Sequence, residues 1–263
     1  MKRKAVHPVK IPSIQLASNA KLVIASDIHI GAEEHAEEQW AETLDYVVRE
    51  KARIFLNGDI LENAIISGSA PGEKLLSQAT WPTGQVMQAI DSLMPLAKRN
   101  LIVGITRGNH DARTRREGLL DLCEIIAHVL RVPYWGIGGL CRVSVGKAGK
   151  PCYGVIQHGK RAGMNPWTEV EKCFNLFPQA KFAALGHNHH FGSKTVWSIS
   201  DDGEGSEAMT RRTAIRTGSY LGRSDYIREM IVSPCPIGSP ILTFDKSGEL
   251  ADVDTETLSW AMG

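Results

Sequence analysis

The chain has 263 residues, which is enough for one large α/β domain. Hydrophobic residues make up 43% of it and charged residues 22%, as in an ordinary soluble globular protein. The 30 Lys and Arg residues nearly balance the 29 Asp and Glu residues, so no global electrostatic field attracts the protein to nucleic acid or to a membrane surface. Any attraction to an anionic substrate must therefore come from a local cluster of positive charge. No apolar stretch approaches the roughly 18 residues that a membrane span requires.

The five cysteines argue against two kinds of stabilising site. They are odd in number, widely spaced and without a C-x-x-C pair, which is atypical of a disulfide framework and of a cysteine-based zinc site. The N-terminal residues 1–8 are positively charged, but no apolar segment of the kind found in signal peptides follows them. A reducing compartment suits such a chain best, so we predict a soluble cytoplasmic protein that does not bind membranes.

The predicted elements alternate between strands and helices along the chain. Five apolar runs have the length of buried strands, and they cover residues 22–25, 54–56, 101–105, 153–156 and 182–185. Helical patterns occupy about residues 33–50, 84–98, 118–130 and 166–177, the last with Pro166 in a first-turn position. This alternation predicts βαβ units and a largely parallel sheet, with ligands bound at the carboxyl ends of the strands.

Two stretches interrupt this rhythm. Residues 65–82 are rich in glycine and proline and predict a long loop, of the kind that often serves as a lid or a binding loop. Residues 195–199 and 212–216 predict a hairpin whose polar tip is formed by residues 201–206. One more strand is expected near residues 240–244, and we interpret the rest of the tail as surface.

Each of the five apolar runs is closely followed by side chains that can bind a metal ion. These side chains are Asp27, His29, Asp59, Asn109, His158, His187 and His189. Oxygen and imidazole ligands of this type suit Mn²⁺, Fe or Zn²⁺ better than Ca²⁺ or a thiolate-bound metal. A carboxylate that bridges two ions would hold them roughly 3.5–4 Å apart, as in phosphoryl transfer by two metals. A serine nucleophile in a Gly-x-Ser-x-Gly motif is absent.

In order, these clusters resemble the motifs of the calcineurin-like metallophosphoesterase family. The family pattern is D-x-H, G-D-x-x-D, G-N-H-D/E, a lone histidine and G-H-x-H, and here it spans about residues 22–190. The resemblance implies a four-layer α/β/β/α sandwich in which two packed mixed sheets are flanked by helices. We therefore expect one domain over residues 1–263, with a motif core at 22–190 and second-sheet strands and the tail at 191–263.

The resemblance also implies a role for each residue. Asp27, His29 and His189 would bind a first metal ion, and Asn109, His158 and His187 a second. Asp59 would bridge the two ions, which we expect to be Mn²⁺, with Fe and Zn²⁺ as alternatives. His110 resembles the catalytic histidine of the family, which binds the phosphate or protonates the leaving oxygen. Glu62 stands where the family usually has the aspartate that supports this histidine. Asp111 is another local candidate for that support, or else it supports the metal-binding residues without contacting a metal ion.

Position 63 departs from the protein Ser/Thr phosphatases of the family, which have an arginine there, whereas this chain has Asn63. Replacement positive charge is expected from the basic stretch 106–116, and Arg113 and Arg107 are our candidates for substrate binding. The departure favours phosphodiesters and small phosphoesters, including DNA and nucleotides, over phosphoproteins as substrates.

The leading hypothesis is therefore a phosphodiesterase or phosphomonoesterase that uses a metal-activated hydroxide. Three alternatives remain open at this point: a protein Ser/Thr phosphatase, a non-catalytic interaction scaffold on the same fold, and a mononuclear zinc hydrolase built on His187 and His189. The expected partner is a phosphoester substrate, with nucleic acid and nucleotides as candidates, and the sequence does not indicate an oligomeric state.

Overall fold

The computed structural model describes residues 10–18, 20–65, 78–146, 150–160, 165–201, 206–222 and 235–261. Its helices are α1 (Glu37–Arg49), α2 (Pro82–Lys98), α3 (Ala112–Gly118), α4 (Leu122–Leu130) and α5 (Thr168–Leu176). Its strands are β1 (Ser13–Leu16), β2 (Lys21–Ala25), β3 (Arg53–Asn57), β4 (Ile102–Thr106), β5 (Gly138–Val145), β6 (Cys152–Gln157), β7 (Phe182–Leu185), β8 (Phe191–Asp201), β9 (Glu207–Thr217), β10 (Ile237–Gly238), β11 (Ile241–Phe244), β12 (Leu250–Asp254) and β13 (Ser259–Trp260).

The strands form two large mixed sheets. The first has the order β12-β11-β2-β3-β4, in which β2, β3 and β4 are parallel and β11 is antiparallel to both of its neighbours. The second has the order β1-β5-β6-β7-β9-β8, with parallel pairs β6–β7 and β7–β9 and an antiparallel hairpin β8–β9. The strand–helix alternation alone predicted a largely parallel sheet, and that prediction is wrong, because β11 is antiparallel to β2 and β12, β5 is antiparallel to β6, and β8 is antiparallel to β9.

The two sheets pack face to face around a shared apolar core. Side chains of both inner faces meet there, for example Ile24 and Phe55 of the first sheet with Ile156 and Phe182 of the second. The outer face of the first sheet is covered by α1, α2 and α4, and the outer face of the second by α5. This arrangement confirms the predicted α/β fold, a four-layer α/β/β/α sandwich of two packed mixed sheets flanked by helices.

The predicted helices exist, with bounds set by local chemistry. Helix α2 begins at Pro82, whose fixed φ and missing N–H suit the first helical position. Helix α4 begins after Asp121, whose side chain accepts a hydrogen bond from the Glu124 N–H and caps the helix. Helix α5 begins only at Thr168, so Pro166 precedes the first turn and was wrongly placed inside it.

Several elements were not predicted. Strand β5 was missed because its apolar residues alternate with polar ones and follow two glycines, and β1 because it is short. The tail outside residues 240–244 was interpreted as surface, which is wrong for the buried Leu258. Strands β12 and β13 do lie at the surface, with exposed or half-buried residues, but they were not predicted as strands. Residues 66–77 of the predicted loop and 202–205 of the predicted hairpin tip lie outside the described residues.

Among the described helices, none is both long and apolar enough to cross a membrane.

Candidate metal centre

The seven predicted metal ligands lie in the segments that leave five strands of the two sheets. Asp27 and His29 follow β2, Asp59 follows β3 and Asn109 follows β4, all in the first sheet. The remaining three, His158, His187 and His189, follow β6 and β7 of the second sheet. The backbone ties the first two segments together, because the His29 N–H donates to the Asp59 carbonyl oxygen over 3.0 Å. The site therefore lies at one edge of the sandwich, where both sheets contribute ligands.

The backbone of these segments is strained. Ten non-glycine residues of the described chain have φ in the left-handed region, and six of them belong to the site. These six are Asp27, His29, Asp59, Asn63, His187 and His189, with φ between 45° and 73°. Such conformations persist only where the surroundings enforce them, and they are concentrated at functional sites.

The first cluster contains Asp27, His29 and His189, whose ligand atoms all lie within 4.8 Å of one another. The His189 Nε2 lies 3.3 Å from Asp27 Oδ1, and the His29 Nε2 lies 4.0 Å from the same oxygen. These are the three residues that the family resemblance assigns to the first metal ion.

The second cluster contains Asp59, His158 and His187. The Asp59 Oδ2 lies 3.0 Å from the His158 Nε2, and the Asn109 Oδ1 lies 3.2 Å from the same nitrogen. Asp59 also faces the first cluster, since its Oδ2 lies 4.0 Å from the His29 Nε2. One carboxylate thus lies between the two predicted ligand sets, which is the placement expected of a bridging ligand.

The donor chemistry of the first cluster fits a cation. The Asp27 Oδ1 and the His29 Nε2 are buried, and neither has a hydrogen-bond partner among the described residues. The His29 Nδ1 lies 2.8 Å from a Glu62 carboxylate oxygen, so it carries the proton and its Nε2 presents a lone pair. Two unpaired acceptors that face each other in a buried place are costly, and a metal ion between them would satisfy both.

The His158 ring is oriented in a similar way. Its Nδ1 lies 2.9 Å from the Asn57 carbonyl oxygen and must donate to it, which directs Nε2 at Asp59 and Asn109. Burial alone would lower the pKa of His158, but the Asp59 and Asp27 carboxylates raise it to about 10. Burial likewise opposes ionisation of Asp59, yet the facing His158 and His110 rings hold the pKa of that carboxyl well below its usual range.

The Asp27 carboxylate is supported by groups that the sequence did not reveal. Its Oδ2 accepts hydrogen bonds from the Ser26 hydroxyl at 2.6 Å and from the His187 N–H at 2.9 Å. The Ser26 hydroxyl in turn contacts that of Thr217 at the end of β9. The position of Ser26 directly before Asp27 is a signal in the sequence, whereas the partnership with Thr217 depends on the folded structure.

His110 is close to the ligands but engages other groups. Its Nδ1 lies 3.2 Å from a Glu62 carboxylate oxygen, and its Nε2 lies 3.1 Å from the Arg113 Nη2. Both ring nitrogens therefore have partners other than a metal ion, although the ring also lies within reach of His29 and Asp59. The structure brings the predicted pair His110 and Glu62 together, and it adds His29 as a second partner of the same Glu62 oxygen.

Asp111 supports the segments and does not hold His110. Its carboxylate accepts hydrogen bonds from the backbone N–H groups of Gly108 at 2.9 Å and Leu61 at 3.1 Å. It therefore joins the segment after β3 to the segment after β4. Burial and the nearby Asp59 charge raise the pKa of Asp111 to about 6.

The predicted substrate-binding arginines have intramolecular partners. Arg113 is only 8% exposed, and its Nη1 donates to the Glu62 carbonyl oxygen over 2.8 Å. The Arg107 Nη1 donates to Asp121, also over 2.8 Å, at the start of α4. Arg116 is exposed instead and donates to the carbonyl oxygen of Asn109 over 2.9 Å, which places it beside one of the predicted metal ligands. Sequence reasoning included Arg116 in the basic stretch but did not single it out.

Comparisons with known proteins give weak similarity only. No protein-family model matches the sequence, and no curated protein matches it. Among solved structures, a conserved uncharacterised protein of Streptococcus pneumoniae TIGR4, described as a predicted phosphoesterase, has a TM-score of 0.37 at 13% identity, over 90% of this chain and 97% of that one.

Two further structures are similar at the same level. Vacuolar protein sorting 29 from Cryptosporidium parvum has a TM-score of 0.46 at 11% identity, over 93% of this chain and 99% of that one. Vps29 from Entamoeba histolytica, complexed with Zn²⁺, has a TM-score of 0.43 at 12% identity, over 92% and 99% of the two chains. Because all three TM-scores are below 0.5, the assignment of this site depends on its own geometry.

Proposed function

We propose that the chain is a phosphoesterase that depends on two divalent metal ions. The observation that carries the proposal is the position of Asp59, whose Oδ2 lies 3.0 Å from His158 of one ligand set and 4.0 Å from His29 of the other. The ordered motifs that resemble calcineurin-like metallophosphoesterases support the same conclusion. Bound at this site, the ions would supply a water of lowered pKa and neutralise the charge of a phosphate group.

The residues of the chain would hold and orient the reacting groups. Asp27, His29 and His189 would hold one ion, Asn109, His158 and His187 the other, and Asp59 both. Glu62 fixes the Nδ1 of both His29 and His110, which leaves the His110 Nε2 as the atom that can protonate a leaving oxygen. The Arg113 Nη2 donates to the same Nε2, which therefore carries no proton in this arrangement. Arg113 would have to turn from His110 to the substrate before this nitrogen could protonate a leaving oxygen.

We further propose that the substrates are phosphodiesters, with nucleotides and DNA as the first class to test, and that Mn²⁺ is the preferred metal. Asn63 supports this choice, because its side chain is fully buried and donates to the carbonyl oxygen of His110 over 2.8 Å. It therefore does not offer the phosphate grip that an arginine provides there in protein Ser/Thr phosphatases. The exposed Arg116 beside Asn109 is available to an extended anionic substrate.

A substrate panel tests the proposal. Protein loaded in turn with Mn²⁺, Fe²⁺ and Zn²⁺ is assayed with bis(p-nitrophenyl) phosphate, p-nitrophenyl phosphate, cyclic nucleotides, and single- and double-stranded DNA. We expect turnover of the diesters, highest with Mn²⁺, and loss of that turnover in the Asp59→Asn variant. Asp45→Asn, at an exposed position of α1, is the matched control and should leave turnover unchanged.

The same panel separates the enzyme from the scaffold. Turnover confined to the phosphomonoester p-nitrophenyl phosphate would contradict the diester assignment. No turnover of any substrate by protein that is shown to hold two metal ions would overturn the enzyme and favour an interaction module on this fold.

A further inference from the structure

Arg216 is a charged side chain in the interior of the protein. It lies near the end of β9, is only 1% exposed and is among the largest fully buried side chains of the described chain. A guanidinium keeps its charge at neutral pH, so its burial is costly unless partners compensate for the lost hydration. The identity of those partners indicates what the residue does.

All three guanidinium nitrogens of Arg216 face partners near the candidate metal centre. The Nε donates to the Pro166 carbonyl oxygen over 2.6 Å, and the Nη1 donates to the Gly186 carbonyl oxygen over 3.0 Å. The Nη2 lies 3.7 Å from the carboxylate of Glu169, in the first turn of α5. Gly186 directly precedes His187, so one of these hydrogen bonds fixes the segment that carries that predicted ligand.

Glu169 extends the connection to a second segment of the site. Its Oε1 accepts a hydrogen bond from the Lys160 N–H over 2.9 Å. Lys160 comes two residues after His158, so Glu169 fixes the segment that carries this other predicted ligand. The segments follow the neighbouring parallel strands β6 and β7, and the His158 and His187 rings lie 5.4 Å apart between centroids.

We propose that Arg216 and Glu169 form a positioning pair that sets the placement of His158 relative to His187, and thereby the affinity of the second metal position. This inference rests on the proposed function, because it requires that these histidines bind a metal ion. Neither member of the pair is a ligand itself. Partners that orient metal ligands in this way typically contribute about 10- to 100-fold to metal affinity.

Arg212 provides a matched control on the same strand. It is also buried, at 8% exposure, and it also donates to two backbone carbonyl oxygens, those of Phe174 and Pro178. These oxygens lie at the other end of α5, away from the ligand segments. A general loss of stability from changing a buried arginine should therefore appear in both variants, whereas a loss of ligand placement should appear only at Arg216.

The experiment uses the full chain and the variants Arg216→Lys, Glu169→Gln and Arg212→Lys. Mn²⁺ binding is measured by titration calorimetry, and backbone exchange is measured by hydrogen–deuterium exchange without metal. We expect Arg216→Lys to weaken one of the two Mn²⁺ sites by about 10- to 100-fold and to speed exchange over residues 158–160 and 186–190. Glu169→Gln, in which an amide oxygen still accepts from Lys160, should act in the same direction by a smaller factor. Arg212→Lys should change neither the Mn²⁺ affinity nor exchange in those two segments.

The outcomes distinguish this inference from the proposed function. Equal Mn²⁺ affinities and equal exchange in wild type, Arg216→Lys and Glu169→Gln would overturn the positioning pair and leave the phosphoesterase proposal intact. If Arg216→Lys does not fold, Glu169→Gln alone decides between the same two results. A wild-type protein that binds Mn²⁺ at both sites but hydrolyses no phosphoester would overturn the enzyme, while the affinity differences would still support the pair. Failure of the wild type to bind Mn²⁺ would overturn both.

Discussion

The two carboxylate oxygens of Asp59 have different surroundings. Its Oδ1 accepts a hydrogen bond from the His110 N–H over 2.8 Å, while its Oδ2 faces the His158 Nε2 over 3.0 Å. The first contact fixes the side chain, and the second directs the remaining oxygen into the cluster. Asp59 can bind two metal ions only if its carboxylate keeps its negative charge, whether each oxygen binds one ion or a single oxygen binds both.

Asp59→Asn should therefore lower metal binding at both positions. The amide has no negative charge and offers one acceptor fewer than the carboxylate, so neither ion would keep its shared ligand. Metal content per protein, measured by plasma mass spectrometry after gel filtration, should fall from about two equivalents to well below one. Retention of one tightly bound ion would instead support the mononuclear alternative built on His187 and His189. The Asp45→Asn control should keep the wild-type content.

Glu62 acts on the site through two histidines. Its Oε2 lies 2.8 Å from the His29 Nδ1 and 3.2 Å from the His110 Nδ1, and the His29 contact holds the tautomer in which Nε2 can bind a metal ion. Glu62→Gln should weaken the first metal position by about 10- to 100-fold, because an amide is a poorer acceptor and can rotate its NH₂ group toward the histidines.

Titration calorimetry with Mn²⁺ measures this effect. Glu38→Gln, at an exposed position in the first turn of α1, is the matched control and should bind Mn²⁺ as the wild type does. An unchanged affinity in Glu62→Gln would show that the His29 orientation does not depend on this carboxylate.

At the scale of elements, the continuous apolar runs predicted β2, β3, β4, β6 and β7 because buried parallel strands need apolar residues on both faces. The same reasoning missed β5, where polar residues alternate with apolar ones. It also predicted no helix in the arginine-rich residues 112–118, which form the short helix α3. Elements were predictable where the local pattern is strong and were missed where strand pairing or nearby segments decide the conformation.

The turn after β7 leaves no room for a side chain at Gly186. A Cβ there would lie 2.5 Å from Asp27 Oδ2 and 2.6 Å from the Ser26 hydroxyl oxygen. Gly186→Ala should displace Asp27 or the following segment and so reduce both the metal affinity and the free energy of unfolding, the latter by about 1–3 kcal/mol.

Chemical denaturation and calorimetric Mn²⁺ titration together test this substitution. Gly118→Ala is the control, because a Cβ at this position in α3 meets nothing within 4 Å. It should leave Mn²⁺ affinity unchanged and leave stability equal or raise it by up to about 1 kcal/mol. A Gly186→Ala protein with wild-type affinity would contradict the close packing around Asp27.

At the scale of the whole molecule, the site joins the two sheets. The proposed ligands Asp27, His29, Asp59 and Asn109 come from segments that follow strands of the first sheet. The three remaining proposed ligands, all histidines, come from segments that follow strands of the second. A metal ion bound between them would contact both halves of the sandwich. It would bind the folded chain only, because the ligands are far apart in the sequence.

Metal binding should therefore stabilise the entire fold. Mn²⁺ at 100 times its Kd should add about 2.7 kcal/mol to the free energy of unfolding. The midpoint of thermal unfolding, followed by calorimetry, should rise with Mn²⁺ and return to the metal-free value after chelation. The Asp59→Asn variant should show little of this shift. A midpoint independent of Mn²⁺ in the wild type would contradict binding at this site.

Features of the site that depend on neighbouring residues could be predicted from the sequence, whereas contacts between residues far apart in the chain could not. The positions of all seven proposed ligands were predictable, because each follows an apolar run and the ordered motifs resemble one family. The partners of those ligands were not, since Thr217 reaches Ser26, and Arg216 reaches Gly186, only after the chain has folded. The intramolecular partners of Arg107 and Arg113 were equally hidden, because they come from other segments.

The most direct test of the account is the rate of bis(p-nitrophenyl) phosphate hydrolysis as Mn²⁺ is added to metal-free protein. If two ions share Asp59, the rate should stay low up to one equivalent of Mn²⁺ per protein and rise as the second metal position fills. The Asp59→Asn variant should show no such rise. A rate that is complete at one equivalent, or no hydrolysis at two bound equivalents, would contradict the central claim.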